Sequence, residues 1–516
     1  MERRQLLKSL IAAPLASVGL SSFGSLANVL VEKPTENKNQ LLVNAKHNFN
    51  QALETNEHLI GFSNIESDFS VQKMAIEGKL PEDIKGTFYR NGPAKHERGD
   101  KRYLHLFEGD GMVHRFNFEN GQIHHQGRFV QTPKFKKEQK ANKFLYSGPD
   151  SRLDDGLSVS NADMINTANT NVISVGNELW ALWECGSPTA LTHNTLKTKQ
   201  QVNLGLNSQY GDKLKGLAFS AHPKIEVNGD IWNFGLAPSG YIALFHLNAK
   251  GHTQNVGLVK AEYKGAMLHD FLITHKHILL ILPSLKADAD IDGYFARIKS
   301  DQTQAMRVLV IDKQSLKIQK EFELEPGFAF HFGNAWEETD GTIHFDASLY
   351  PDVTVLHELS KVMQGATQNP NTQSQTALFT LKPNGTSTKH LVEGDSEFPR
   401  IYDHLVGQRN RLLFTLSATD SQIWSDTVSC LNIETGKKDS FVYGDDFLVE
   451  EHISVSPTGK EGEGYLIGTA LHVPSKRTCL NIFKVNHLSD GPICRAWLPY
   501  HIPLGFHGNF KMSAIE

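Results

Sequence analysis

The sequence predicts an all-β fold of successive antiparallel hairpins, either a propeller or a large barrel, and three observations carry that prediction. Apolar runs of four to seven residues recur along the chain: IWNFG, ILLIL, RVLVI, TIHFD, LLFTL, YLIGTA and CLNIFKV. Between them stand the pairs Asn120-Gly121, Gly176-Asn177, Asn228-Gly229, Asp340-Gly341 and Asn384-Gly385, which accept the positive φ that short hairpin turns require. The alternation runs from Phe62 through some 450 residues with no linker rich in Pro, Ser or charge, so one large domain is expected despite the 516-residue length. There is no WD or kelch signature and no fixed period, so the pattern alone does not choose between propeller and barrel.

Taken in order, the first 27 residues stand apart. Arg3 and Arg4 precede Leu6, Leu7 and Lys8, in the manner of a twin-arginine export signal. A short apolar stretch follows from Leu10 to Leu20, and Ser25-Leu26-Ala27 offers a small-residue cleavage site. Spanning a bilayer takes about 20 apolar residues, more than this stretch supplies. Export to the periplasm is expected, with the mature chain starting near Asn28. Residues 28–60 read as a polar, Asn-rich lead-in that wraps the domain, and the domain itself as 61–516. Within it, 284–305 and 351–377 do not read as strands but as long connections carrying short helices.

The 52 Lys and Arg against 57 Asp and Glu are mixed along the chain, which argues against nucleic acid as a partner. Cys185, Cys430, Cys479 and Cys494 form no CxxC pair and are too sparse for a disulfide framework. Buried thiols are expected, with a bridge between Cys479 and Cys494 across late strands as the alternative. The segment GDG at 109–111 has no GxGxxG or GxxxxGK[ST] around it and reads as a hairpin turn, so no organic cofactor is expected.

The chemistry rests on histidines. Of the 24 in the chain, His222 in FSAHPKIEV, His269 in AMLHDFLIT, His331 in FAFHFGNAWE and His507 in PLGFHGNF sit in apolar, β-forming contexts. A single such histidine is ordinarily a satisfied core residue. The intervals of 47, 62 and 176 residues exclude one helix or one finger, so the four meet only if separate strands or strand ends converge. Neutral imidazoles suit a borderline divalent metal, and a site made only of them leaves its charge uncompensated and coordination positions open, which suits iron(II) and dioxygen.

AHPK, LHDFLIT, FHFGNAWE and the late FHGNF, in this order, resemble the carotenoid cleavage oxygenase family, which includes lignostilbene dioxygenases and retinoid isomerohydrolases. GTFYRNGPA at 86–94, HLFEGDGMVHRF at 105–116, NTANTNVISVGNELWALWE at 166–184, EFPRIYD at 397–403 and EEHISVSP at 450–457 extend the resemblance from about Leu80 to about Phe510. It implies a seven-bladed β-propeller whose loops and short helices, 284–305 and 351–377 among them, roof a substrate tunnel over a central metal. It implies one Fe(2+) per subunit on His222, His269, His331 and His507, with Glu184, Glu397 and Glu451 holding the outer nitrogens of the rings. Glu450 adjoins Glu451, and a one-residue shift would move that role.

The implied reaction is cleavage by dioxygen of a conjugated C=C bond, in a phenolic stilbene or phenylpropenoid or in an apocarotenoid, to carbonyl products. Tyr103 and Lys134 match the pair with which stilbene-cleaving members grip a phenolic hydroxyl and favour its phenolate character. Carotenoid-specific cleavage without that clamp and a non-catalytic ligand-binding propeller are the alternatives. Peripheral membrane contact, oligomeric state and the cleaved bond are left open.

Overall fold

The computed structural model describes residues 37–513 apart from 238–239, 264–266, 367–371 and 419–422, and the expected export segment at 1–27 lies outside the described residues. Between propeller and barrel the structure decides for a seven-bladed propeller. Each blade is a twisted antiparallel sheet of four or five strands. In chain order the axial strands are Asn171–Val175, Lys224–Ile225, Leu272–Ile273, Phe328–Ala329, Glu397–Arg400, Phe447–Val455 and His507–Met512. The turn pairs act as their chemistry demands: Asn120 and Gly121 both take positive φ, 52° and 69°, and join Asp110–Glu119 to Gln122–Phe129.

The ring is closed twice by exchange between the chain ends. The last strand, His507–Met512, pairs with Gly86–Lys95, setting His507 opposite Asn91 and Met512 opposite Gly86. The early strand Ala75–Gly78 completes the preceding blade by pairing with Cys494–Trp497. A buried ion pair reinforces the seam. The Arg90 guanidinium donates to Glu450, which also accepts from the Thr469 hydroxyl and the Gly505 N–H. A Cβ at position 505 would collide with that guanidinium, which is why the segment entering the last strand carries glycine there.

The core lies between the blades. Leu279, Ile281, Val308 and Val310 of one blade pack on Phe345, Ala347 and Phe379 of the next, and Ile278, Leu280 and Leu309 on the opposite face meet Phe234, Leu244 and Phe271. Strands covered on both faces read as unbroken apolar runs such as ILLIL, and each fully buried Leu or Ile contributes about 1.5–3 kcal/mol over an exposed one. At the rim the pattern inverts, and Ser387–Leu391 is exposed at every position.

Above the axis sits a roof. The lead-in holds the helix Lys38–Leu53, capped by Asn37, whose side chain accepts from Gln40 N–H at 3.0 Å. Its stripe of Leu42, Ala45 and Phe49 is buried, a spacing of three and four residues that the Asn-rich composition hides. A second helix without a sequence forecast, Pro133–Ala141, starts at Thr132, whose hydroxyl accepts from Phe135 N–H. The connection 351–377 carries the expected helix, Thr354–Met363. The connection 284–305 departs from expectation: Leu285–Ala287 pairs with Ile298–Ser300 as a β-ribbon instead of a helix.

Cys479 and Cys494 occupy adjacent strands, yet Cys479 faces Trp497 and Cys494 faces Ile482. An offset of three rungs, about 10 Å, is beyond disulfide reach, and all four cysteines are free thiols. Cys185 is not buried as expected but exposed to the interior cavity.

Glu450→Ala leaves the Arg90 guanidinium buried without its carboxylate, and a loss of roughly 3–5 kcal/mol of stability is expected in urea unfolding. A change within about 0.5 kcal/mol would refute the role of this pair in closing the ring.

Candidate metal centre

Each of the four histidines stands at the axial end of a different blade. His222 lies two residues ahead of Lys224–Ile225, His269 three ahead of Leu272–Ile273, His331 two after Phe328–Ala329, and His507 begins the last strand. Their available ring nitrogens all lie within 4.8 Å of one another. The Nε2 atoms of His222 and His269 are 3.0 Å apart, and those of His269 and His331 are 3.3 Å apart. All four rings are buried.

The outer nitrogens explain the inner ones. His269 Nδ1 meets Glu184, His331 Nδ1 is 2.6 Å from Glu397 Oε2, and His507 Nδ1 is 2.9 Å from Glu451 Oε1. A carboxylate only accepts, so each Nδ1 carries the proton and each Nε2 turns a lone pair to the centre. Lone pairs converging at these distances repel unless a cation stands between them. The donor set therefore fits a divalent metal of the kind imidazole favours. His222 has no carboxylate partner among the described residues, and burial, the three other imidazoles and Lys224 hold its pKa far below the usual value.

Two of the carboxylates, Glu451 and Glu397, are themselves held ionised. Glu451 is buried, which raises its pKa, yet Arg400 and His507 bring it down to about 2, and Gly508 N–H donates to Oε2 at 2.8 Å. Burial likewise works against Glu397, but the His331 ring outweighs it, and the Tyr350 hydroxyl donates to Oε1 at 3.0 Å. His331 is correspondingly raised by Glu397 against the effect of its own burial. In His507 burial prevails over Glu451 and its pKa falls to about 4.

Two adjacent glutamates serve two purposes. In regular pleating Glu450 and Glu451 would point to opposite faces, but the register of Phe447–Val455 against Tyr465–His472 shifts between Val449 and His452. Beside this irregularity Glu450 contacts Arg90 and Glu451 contacts His507. The ambiguity left by the sequence is settled in favour of Glu451 as the residue on the ring.

The motif residues beside the ligands stitch neighbouring blades. Lys224, two after His222, pairs at 2.8 Å with Asp270, next to His269. Asp270 also accepts from Phe332 N–H, beside His331. Asn334 donates to the carbonyls of Leu405 and Gln408, joining that loop to the following blade.

His269, His331 and His507 line a cavity of about 1180 Å³, and His222 does not. Phe107, Trp183, Phe330, Phe398, Trp424 and Phe506 make its inner wall. Sequence reading missed these aromatics and Thr170, which faces the cavity from the NTANTNV segment. Isolated aromatics in an all-β chain carry no mark separating wall from core. The ribbon 285–300 and Val355 and Leu359 of the roof helix line the cavity from above.

Tyr103 and Lys134 are brought together, with the ammonium 5.0 Å from the centre of the ring, but neither lines the cavity. Lys134 Nζ is bound to Asp110 Oδ1 at 2.7 Å and Glu138 at 3.1 Å, and the Tyr103 hydroxyl faces Glu138 at 3.4 Å. The two residues expected from sequence to grip a phenol stand here in a buried charge cluster with Asp110 and Glu138. The carboxylates of Asp110 and Glu138 occupy the groups that a phenol would need.

The family model described as retinal pigment epithelial membrane protein matches residues 62–512. The chain is 27% identical over 464 residues to apocarotenoid-15,15'-oxygenase of Synechocystis sp., covering 85% of this chain and 92% of that protein. It is 28% identical over 478 residues to lignostilbene-alpha,beta-dioxygenase isozyme III of Sphingomonas paucimobilis, covering 86% and 94%. Isoeugenol monooxygenase of Pseudomonas nitroreducens is 26% identical over 478 residues, covering 84% and 93%. The crystal structure of the cobalt-substituted Synechocystis apocarotenoid oxygenase superposes with a TM-score of 0.79 at 26% identity, covering 89% of this chain and 98% of that one.

His269→Ala is expected to lose bound metal in elemental analysis while keeping the β-sheet circular-dichroism spectrum. Glu184→Gln should retain the metal with about 10–100-fold weaker affinity; unchanged affinity would show that Glu184 does not orient His269. Lys134→Met leaves two buried carboxylates to share the single cation Arg98, so it should lower the unfolding midpoint. A substrate-selective loss of turnover at unchanged stability would restore the clamp.

Proposed function

The chain belongs to the retinal pigment epithelial membrane protein family, whose members include carotenoid- and stilbene-cleaving dioxygenases, and from that premise we propose that it is a non-haem iron(II) enzyme cleaving a conjugated C=C bond to carbonyl products. The observation that carries the reading is the set of four inward-facing imidazoles, three fixed by glutamates, at the floor of an aromatic cavity. His222, His269, His331 and His507 would hold one iron per chain. Iron(II) supplies the one-electron chemistry that dioxygen needs to react with an alkene.

The protein's own part is positioning and dryness. Phe107, Phe330, Phe398 and Phe506 present flat apolar faces on which a conjugated system lies against the open side of the centre. The four neutral ligands leave the charge of the metal to Glu184, Glu397 and Glu451, each one ring away. Tyr350 and Phe398 N–H hold Glu397, and Arg400 and Gly508 N–H hold Glu451, so the ligand geometry does not shift when substrate enters. Thr170, its hydroxyl bonded to the Asn169 side chain at 3.0 Å, narrows the space beside the histidines.

The substrates named for the relatives, apocarotenoid, lignostilbene and isoeugenol, share an apolar conjugated alkene, and this is the class proposed here. With Tyr103 and Lys134 engaged elsewhere, recognition along the aromatic wall is favoured over phenol ionisation. Residues 1–27 support a periplasmic address, which cell fractionation of the full-length protein tests.

Iron(II)-loaded protein given oxygen with a hydroxystilbene, an isoeugenol-type phenylpropenoid and an apocarotenal is expected to yield aldehydes by mass spectrometry, and chelation of the metal to abolish them. An iron-loaded sample that yields no aldehyde from any of the three would overturn the reading.

A further inference from the structure

One cation of the cavity wall has no ion pair among the described residues. Lys38, Arg152 and Arg297 are the Lys and Arg side chains that line it among the described residues. Asp292 neutralises the first two, at 2.8 Å from Lys38 and 3.2 Å from Arg152. Arg297 has no ion pair and no side-chain hydrogen bond among the described residues, and its Nε is buried without a partner. Its guanidinium lies 5.7 Å from the centre of the Tyr294 ring, on the turn that carries the cavity-lining Phe295. Phe295 packs edge-on against Phe107 at 5.5 Å, and Phe107 lies over the His269 ring at 6.5 Å. The turn bearing Arg297 is therefore part of the same wall that leads to the histidines.

A guanidinium has five N–H donors and no acceptor, and its fork matches a carboxylate through two parallel hydrogen bonds. Arg297 is half-buried and only its Nε is fully enclosed, so its outer N–H groups are free to meet a ligand, and an anion there gains a charge-assisted pair. Resting on the alkene-cleaving reading, we infer that Arg297 selects a conjugated alkene that ends in a carboxylate. The carboxylate pairs with Arg297 on the roof ribbon, and the conjugated chain runs from it past Phe295 and Phe107 toward the histidines. Arg297 acts as a positioning and specificity residue in this arrangement and takes no part in bond cleavage.

The test separates binding from turnover. Quenching of the cavity tryptophans, Trp183 and Trp424, reports binding of all-trans-retinoate and stilbene-4-carboxylate, each against its own methyl ester. Wild-type protein is expected to bind at least one carboxylate about 10- to 100-fold more tightly than its ester. Arg297→Met should remove that preference without changing ester binding, and Arg297→Lys should keep part of it. Equal binding of acid and ester by the wild type, a preference that survives in Arg297→Met, or no binding of either acid would overturn the inference. In the iron-loaded enzyme the substitution should raise KM for the acid with little change in kcat. Failure of the catalytic reading would be seen separately, as carboxylate binding that depends on Arg297 with no aldehyde formed.

Discussion

The arrangement of protons on the imidazoles is the constraint on which the centre depends. Four rings whose Nε2 atoms face one another tolerate that approach only if every inner nitrogen is an acceptor, which requires a partner for the outer N–H. Glu184, Glu397 and Glu451 provide it for three rings. A charge-assisted bond of this kind contributes about 1.5–3 kcal/mol, enough to fix tautomer and ring orientation together. Glu397 and Glu451 must in turn stay ionised, and Arg400, Tyr350 and backbone N–H groups converge on them.

A propeller satisfies this demand because its axial strands converge from every part of the chain. What keeps them in register is a layer of buried polar side chains on the axis. Asn91 donates to the carbonyls of Ala168 and Asn171, Asn171 to that of Ala221 just ahead of His222, and Asn509 to that of Val172. Each ties one blade to the next. Removing one would leave buried carbonyls unsatisfied, at about 1–3 kcal/mol apiece. The histidines stand on the propeller scaffold, and two connections between its strands, the ribbon 285–300 and the helix Thr354–Met363, shape the cavity from above.

The charge balance of the cavity follows from the same economy of buried groups. Near the centre Glu184, Glu397 and Glu451 are matched with imidazoles and Asp270 with Lys224, and at the Lys134 cluster Arg98 and Lys134 face Asp110 and Glu138. A clamp made of Lys134 would have to break two such pairs before reaching a ligand. Arg297, which has no ion pair among the described residues, is a cavity-lining cation left available.

The all-β class, the hairpin turns and the four histidines were legible in the sequence, because turn chemistry is local and the HPK, HDF, NAWE and HGNF contexts survive in one dimension. The glutamates were legible too, except that a line of sequence cannot show which of Glu450 and Glu451 meets Arg90 and which meets His507. The lead-in helix was obscured by its asparagines although Leu42, Ala45 and Phe49 keep helical spacing. Which residues face the cavity was decided only by the tertiary structure. Phe107, Trp424 and Arg297 look in sequence like any core aromatic or surface cation. Lys134 stands at a matching position, yet its carboxylate neighbours across space, Asp110 above all, determine what its charge can do. Local backbone preference is written in adjacent residues, whereas the environment of a side chain is the sum of neighbours that folding brings from distant parts of the chain.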